Sequence, residues 1–587
     1  MEREPLTTNT SAASGRWTAW SPRPRLHLPH WIPRLYQATT TAERISLSVL
    51  LVLLIISGLF SIVNYINNHT QLIPQTGGVY HEAAVGQPRY INPIVSSAND
   101  LDMDLTQLIY SGLFRFNNNL ELTNDLATGY EISSDNKVYT VHLRNNVLWH
   151  DGEAFTADDV LFTYRSIQTP NYGSPLSSSF QGVTIEKTDD YTVTFTLKEP
   201  YAPFLTSLTV GIAAEHVWSQ IAPQNATLTE QVLKPVGTGP FQFAEIATRR
   251  KTGDITSYRL VRNDQYYGSS PYLNEIIFTF YTTYEEALQA LQSGKADGIS
   301  FLPLANLKAA TQHRSTDINQ LLLPQYFAIF FNPQKNEALN EAGVRAALSL
   351  GTDRSAIVEQ ALFGQGRPLH LPIPPNFLSF DGDNNPPATN LEAAQQNLSE
   401  SGWEVGNDGI RQKDGKPLVI KLTTTDWPEY IKTAQIIQEQ WRQLGIDVQL
   451  EHLGAGTIQQ TIVQPRDFEA LLFGEILPAD PDPYPFWHST QTRSPGLNLA
   501  SFKNQAVDKL LEEARKTTDQ PKRLELYKEF QNKILELNPA IILYQPYYLF
   551  ATNQVYGIDA KYAALPSGRF NNIEKWHVQT KRVWKTN

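Results

Sequence analysis

WHDGEAFTADDVLFTYRSI, residues 149–167, contains the start of a helix. Thr156 stands three residues before Asp159, the pattern of a capping box, so a helix is expected from there to about Ile167. Asp158 and Asp159 then have a structural reason to exist, because acidic residues in a first helical turn suit the helix dipole. Neither is expected to bind metal or to act in catalysis. On either side, VYTVHL (Val138 to Leu143) and TVTFTL (Thr192 to Leu197) alternate as strands do, the second with Val193, Phe195 and Leu197 on one face.

The same alternation of elements continues outward. Toward the N-terminus, Val79 to Val85 reads as a short strand followed by the proline-punctuated loop GQPRYINPI. Toward the C-terminus, PVGTGPF (Pro235 to Phe241) is a turn-rich connector. YEEALQALQSG is a helix closed by Gly294, and KADGIS leads into a strand. PEYIKTAQIIQEQWRQLG ends at Gly445 before the strand IDVQLEHL, and PKRLELYKEFQNKILELNP precedes AIILY. Helices alternating with strands argue for an α/β body of mixed sheets covered by helices. No repeat of fixed period is present.

Ile45 to Val63, ISLSVLLVLLIISGLFSIV, carries no charge. As a helix it would be roughly 28 Å long, close to the hydrocarbon thickness of a bilayer. The apolar region of a cleaved signal peptide is shorter and is followed by a small-residue site, whereas NYINNHTQ follows here, so an uncleaved anchor at 45–66 is expected. Arg3, Arg16, Arg23, Arg25, Arg34 and Arg44 precede the span, and Asn64 to Thr76 carry no Lys or Arg. The positive-inside rule then places the tail, 1–44, in the cytoplasm and the body outside. That tail reads as a mostly disordered arm whose Arg and Trp residues lie against the inner leaflet. Residues 67–77 read as a polar linker.

The 587 residues carry a net charge of −11, which argues against nucleic acid or anionic lipid as a partner of the body. There is no cysteine, which excludes disulfides, thiolate metal sites, Cys nucleophiles and a lipidated N-terminal cysteine. His81-Glu82-Ala83-Ala84-Val85 lacks the second His of a zinc helix, and no nucleophile elbow, P-loop or dinucleotide loop occurs. Asp381, Asp383, Asn385 and Glu392 fit positions of a calcium loop, but Pro386 stands where its glycine must be. A solvated proline-rich loop is the expectation there. In LPADPDPYPFWHST (Leu477 to Thr490), four prolines fix the backbone around Asp480 and Asp482, and Tyr484, Phe486 and Trp487 lower the local dielectric. On composition, a carboxylate poised for an ammonium group and a rigid connector with two solvated Asp are equally good readings.

Residues 149–167 resemble the signature of the family 5 extracellular solute-binding proteins, the peptide- and nickel-binding components of bacterial ABC importers. SGLFRF (Ser111 to Phe116), PVGTGPF, VRAALSLGTDRSAIV (Val344 to Val358), ESGW (Glu400 to Trp403), WRQLGIDVQL (Trp441 to Leu450) and PADPDPYPFWHS agree with it in order, from about Gly78 to the C-terminus. The resemblance implies a bilobal periplasmic-binding-protein-like fold that closes about a hinge. A first lobe would span 78–305 with an extra subdomain at about 108–199, a second lobe 306–543, and 544–587 would return to the first. It also implies that Asp480 pairs with a peptide's α-amino group. The peptide backbone would be held from Ile476 and Leu477 and from Gly86 and Gln87, in the manner of an added strand. Trp487 completes the expected ligand-binding set.

Three departures from the family stand out: the retained anchor; Pro478, which removes a backbone donor; and the lack of an identifiable Arg or Lys for the carboxylate of a short peptide, which leaves ligand length open. The expected function is therefore a membrane-anchored, monomeric receptor that passes oligopeptides to an ABC permease, with no enzymatic activity, cofactor or metal. A solute sensor, a receptor for a nickel chelate and a surface hydrolase using Asp480 and Asp482 are the competing readings. On this basis Asp480→Asn is expected to weaken peptide binding at least tenfold and to leave the stability of the empty protein unchanged.

Overall fold

The computed structural model describes residues 40–95, 99–313, 315–375, 377 and 385–585, and the chain divides into two compact units. Nearly all of the N-terminal arm, together with Asp381 and Asp383 of the calcium-like loop, lies outside the described residues.

The first unit comprises residues 1–73 and 581–587. Its helix, Thr41–His69, is the one helix among the described residues long and apolar enough to cross a membrane. Thr40 and Glu43 cap it reciprocally, Thr40 N–H donating to Glu43 Oε2 at 2.8 Å and Glu43 N–H to Thr40 Oγ1 at 3.4 Å. The helix runs six residues past Val63, and the strand Thr70–Pro74 follows at once, paired with the strand Thr580–Trp584. Most of the expected linker at 67–77 is thus regular structure. Its backbone partner lies about 500 residues away in sequence, where no local pattern could reveal it.

The second unit, residues 74–580, is built on a twelve-stranded mixed sheet. One long strand, Ala540–Asn553, belongs to both of its halves. Its first residues pair with Gln325–Phe331 and its last with Thr316–Leu322 and Gly298–Ile299. The chain therefore crosses between halves at Leu323–Pro324 and at Gln545–Pro546. The buried Gln545 side chain ties the two crossings together, donating to Leu323 O at 2.6 Å. The boundary expected at 305–306 falls inside the helix Leu304–Thr311, and the first crossing lies well beyond it, because Thr316–Leu322 still pairs in the first half.

Strand Gln325–Phe331 is apolar at nearly every position because both its faces are covered. Phe327, Ile329 and Phe331 join one core and Tyr326, Ala328 and Phe330 another, each closed by helices. An extra subdomain carries a four-stranded antiparallel sheet, Ala127–Ile132, Val138–Leu143, Thr192–Thr196 and Thr184–Asp189, with the helix Ala157–Gln168 against it. Its core extends past 199, to Trp218 and Val232.

The motif at 149–167 proves to be a joint. The Trp149 indole and the backbone N–H groups of Thr156 and Glu215 all donate to Asp159, which confirms its structural role. His150 Nδ1 accepts from Gly237 N–H at 3.1 Å, and its Nε2–H donates to Gly239 O at 3.1 Å. Burial lowers the His150 pKa to about 4, so the ring is neutral in this bridge. A Cβ on Gly237 would lie 1.9 Å from Ile109 O, which is why PVGTGPF needs glycine there. The two most recognisable motifs of the chain meet each other.

Candidate functional site

Strand Ala470–Ile476 pairs along its whole length with Gln325–Phe331, but its other neighbour, Val419–Thr425, reaches only Ala470 and Leu471. Residues 472–476 therefore form an edge. Leu477 N–H donates inward to Pro324 O at 2.7 Å, and since main-chain polar groups alternate sides along a strand, those of Gly474 and Ile476 point to the open side. Ile476 is 63% exposed and Leu477 is buried. Ile476 is the residue of this pair that offers its backbone.

The proline-rich loop follows. Asp480 is not a free carboxylate: Arg523, on the helix Gln520–Leu537, holds it bidentately at 2.6 and 2.9 Å, and both side chains are buried. Tyr527 OH accepts from the same guanidinium. Burial pushes the Asp480 carboxyl up from its ordinary value, and the Arg523 hydrogen bonds and charge oppose that shift. Asp482 is likewise paired, accepting from Arg515 Nε at 2.9 Å. The Arg515 guanidinium lies over Tyr484 at 4.1 Å and near Tyr201 of the preceding segment at 5.2 Å. Ala202 N–H donates to Arg515 O at 2.7 Å, so the loop at 201–204 meets the second half of the sheet here. Neither Asp is solvated, and each carboxylate is already paired with an arginine. Trp487 is 1% exposed, edge-on to Phe530 at 6.3 Å, and belongs to the core behind the loop, correcting its place among the ligand-facing residues.

In the first half, Val79–Val85 is open on one side beyond Ala83, the last residue to accept a bond from that side, from Ser300. Gly86 N–H instead bonds Tyr281 O at 3.1 Å, and by alternation it is Val85 whose main chain faces the open side. Gln87 is exposed but tethered, its carbonyl accepting from Asn99 and its side chain from Ile255 N–H.

Two cavities result. One of about 530 Å³ is lined by Val85, Gly86, Gln87, Asn99, Ser300 and Phe301 among others. The other, of about 510 Å³, lies between the subdomain and the second half, with Leu120, Tyr130 and Thr206 facing Asp480, Thr518 and Arg523. Gly86 and Gln87 thus line a different cavity from Asp480. Arg523 and Arg515 are the site residues that the sequence reading missed.

Residues 121–497 match the family of bacterial extracellular solute-binding proteins, family 5. The chain belongs to that family. The oligopeptide-binding protein AppA of Bacillus subtilis is 30% identical over 512 residues, covering 86% of this chain and 92% of AppA. The solved structure of that AppA with a nonapeptide superposes with a TM-score of 0.66 at 29% identity, covering 86% of this chain and all of the other. NikZ of Campylobacter jejuni, solved with Ni(L-His), gives 0.68 at 26% identity over 85% of this chain and 99% of its own. The bilobal, periplasmic-binding-protein-like α/β fold expected from the sequence is therefore the observed one.

This family 5 chain buries one ionisable group directly behind its exposed edge. Glu475 accepts from the Tyr326 hydroxyl and is fully enclosed, and burial pushes its pKa up to about 8, against the opposing effects of Tyr326 and Arg466. A folded-state pKa raised above the unfolded value of 4.5 means that the folded protein binds the proton more tightly. The stability this contributes is complete below about pH 4.5 and is lost as pH rises toward 8. Glu475→Gln is expected to be more stable than the parent at pH 8 by more than about 1 kcal/mol, with the difference shrinking toward pH 5. Urea titrations of both proteins at the two pH values check this.

Proposed function

We propose that the protein is a membrane-anchored substrate-binding receptor that captures oligopeptides outside the cytoplasmic membrane and hands them to the permease of an ABC importer. The single observation that carries this reading is the open backbone edge at Gly474 and Ile476, six and four residues before the buried Asp480. It offers main-chain bonds to any extended peptide, whatever its side chains. Val85 presents the matching edge from the first lobe, beside Gly86 and Gln87, and Asp480 accepts the peptide's α-ammonium. A carboxylate has about four lone-pair positions, and Arg523 occupies two, so one guanidinium and one ammonium can share it. The likeness to AppA, solved with a nonapeptide, supports the peptide class.

In this reading the first lobe spans 78–305, the second 306–543, and the remainder returns to the first, with boundaries displaced toward the crossings at Leu323–Pro324 and Gln545–Pro546. Those crossings serve as the hinge. The helix Thr41–His69 anchors a monomer, with residues 1–44 in the cytoplasm and the body extracellular or periplasmic. Among the described residues, no group of three or more His, Cys, Asp or Glu is placed to hold a metal ion.

Calorimetry of the detergent-solubilised full chain with peptides of two to nine residues tests the reading. Free N-termini are expected to bind, and acetylation of the same peptides to weaken binding at least tenfold. Equal affinity for acetylated peptides would refute the role of Asp480, and no binding at any length would refute the function.

A further inference from the structure

The C-terminal strand closes on the point where the apolar helix ends. Tyr65 lies two residues and His69 six residues beyond Val63, about 3 and 9 Å along the axis at 1.5 Å per residue. The headgroup layer on each side of a bilayer is roughly 5–8 Å deep. With the apolar stretch filling the hydrocarbon, this last turn traverses the headgroups.

What packs on that turn comes from the far end of the chain. Arg582 donates to Asn67 Oδ1 at 2.7 Å and to Thr70 Oγ1 at 3.0 Å, and Lys585 N–H donates to His69 O at 2.8 Å. Tyr65 stacks on His69 at 4.1 Å, and Trp584 sits 6.4 Å from Tyr65. The two larger rings remain 58% and 62% exposed. Lys581, Arg582 and Lys585 are also exposed, and neither 64–73 nor 581–585 contains an acidic residue. Exposed Trp and Tyr at a helix end, in two paired segments that carry basic and no acidic residues, have the composition of a membrane–water interface. The positive-inside rule reads the loops near the span and is blind to residues that the fold brings back from 500 positions away.

We propose that this C-terminal strand is a membrane-interface element: Trp584 and Tyr65 lie among the lipid headgroups, and Lys581, Arg582 and Lys585 bind the phosphates of anionic phospholipids in the outer leaflet. The inference rests on the reading of Thr41–His69 as a membrane anchor. Its consequence is that the chain is attached through both of its ends, by the helix permanently and by the strand in a lipid-dependent way.

The natural absence of cysteine makes single-cysteine spin labelling of the full chain in nanodiscs direct. Leu72→Cys, on the exposed strand paired with Thr580–Trp584, is the reporter, and Val52→Cys in the middle of the apolar stretch is the control. The Leu72 label is expected at headgroup depth. It should be less mobile in discs containing phosphatidylglycerol than in pure phosphatidylcholine, and Lys581→Gln with Lys585→Gln should abolish that difference. A Leu72 label freely accessible to a water-soluble nickel chelate in both lipids, with Val52 deep, overturns the proposal and leaves the anchor standing. A difference that persists in the double variant overturns the role of the lysines. A water-accessible Val52 label removes the anchor and the interface element together.

Discussion

Asp480→Asn is expected to lower the unfolding free energy by about 3–5 kcal/mol, because it leaves the buried Arg523 guanidinium without its counter-charge. Arg523→Met should cost a similar amount, since the orphaned carboxylate lies in the same enclosed site. The double replacement Asp480→Asn with Arg523→Met removes both charges and is expected to cost much less than the sum of the two losses. Urea titrations of the four proteins measure the coupling. Additive losses would mean that the pair contributes nothing as a pair. This replaces the expectation from sequence that Asp480→Asn acts on ligand binding alone.

Ile476→Pro is expected to weaken peptide binding by about 10- to 100-fold while leaving stability nearly unchanged. The Ile476 N–H points away from Gln325–Phe331, so proline removes no bond from the sheet there, and proline is tolerated on an open edge. It does remove the donor offered to a ligand strand and leaves a peptide carbonyl unpaired inside the closed site, worth about 1–3 kcal/mol. Calorimetry with one tight-binding peptide reads the first effect and urea titration the second. Unchanged affinity would place the peptide backbone elsewhere.

The local elements were legible because their signals are local. The cap at Thr156, the alternation of Thr192 to Leu197 and the glycine stops at Gly294 and Gly445 each act over a few residues, and each element is found where those signals put it. The site was legible only as a location. Asp480 and Ile476 were marked by the resemblance, but the Arg partners lie on helices 33 to 43 residues further on.

One signal for Arg523 was present. In the helix Gln520–Leu537 the buried residues are Arg523, Leu526, Tyr527, Phe530, Gln531 and Ile534, so Arg523 and Gln531 occupy the apolar stripe itself. A charged residue at a stripe position requires a buried partner, and the nearest acidic loop held one. The pairing of Thr70–Pro74 with Thr580–Trp584 and the crossing at Leu323–Pro324 left no such mark, because strand pairing between distant segments is decided by the assembled sheet.

Native mass spectrometry of the full chain, purified gently in detergent from its producing cells, tests the central claim most directly. A heterogeneous set of bound masses that fragment as short peptides is expected, reduced or absent in Ile476→Pro. A single bound mass that does not fragment as a peptide, or an empty protein that also ignores a peptide library, would contradict it.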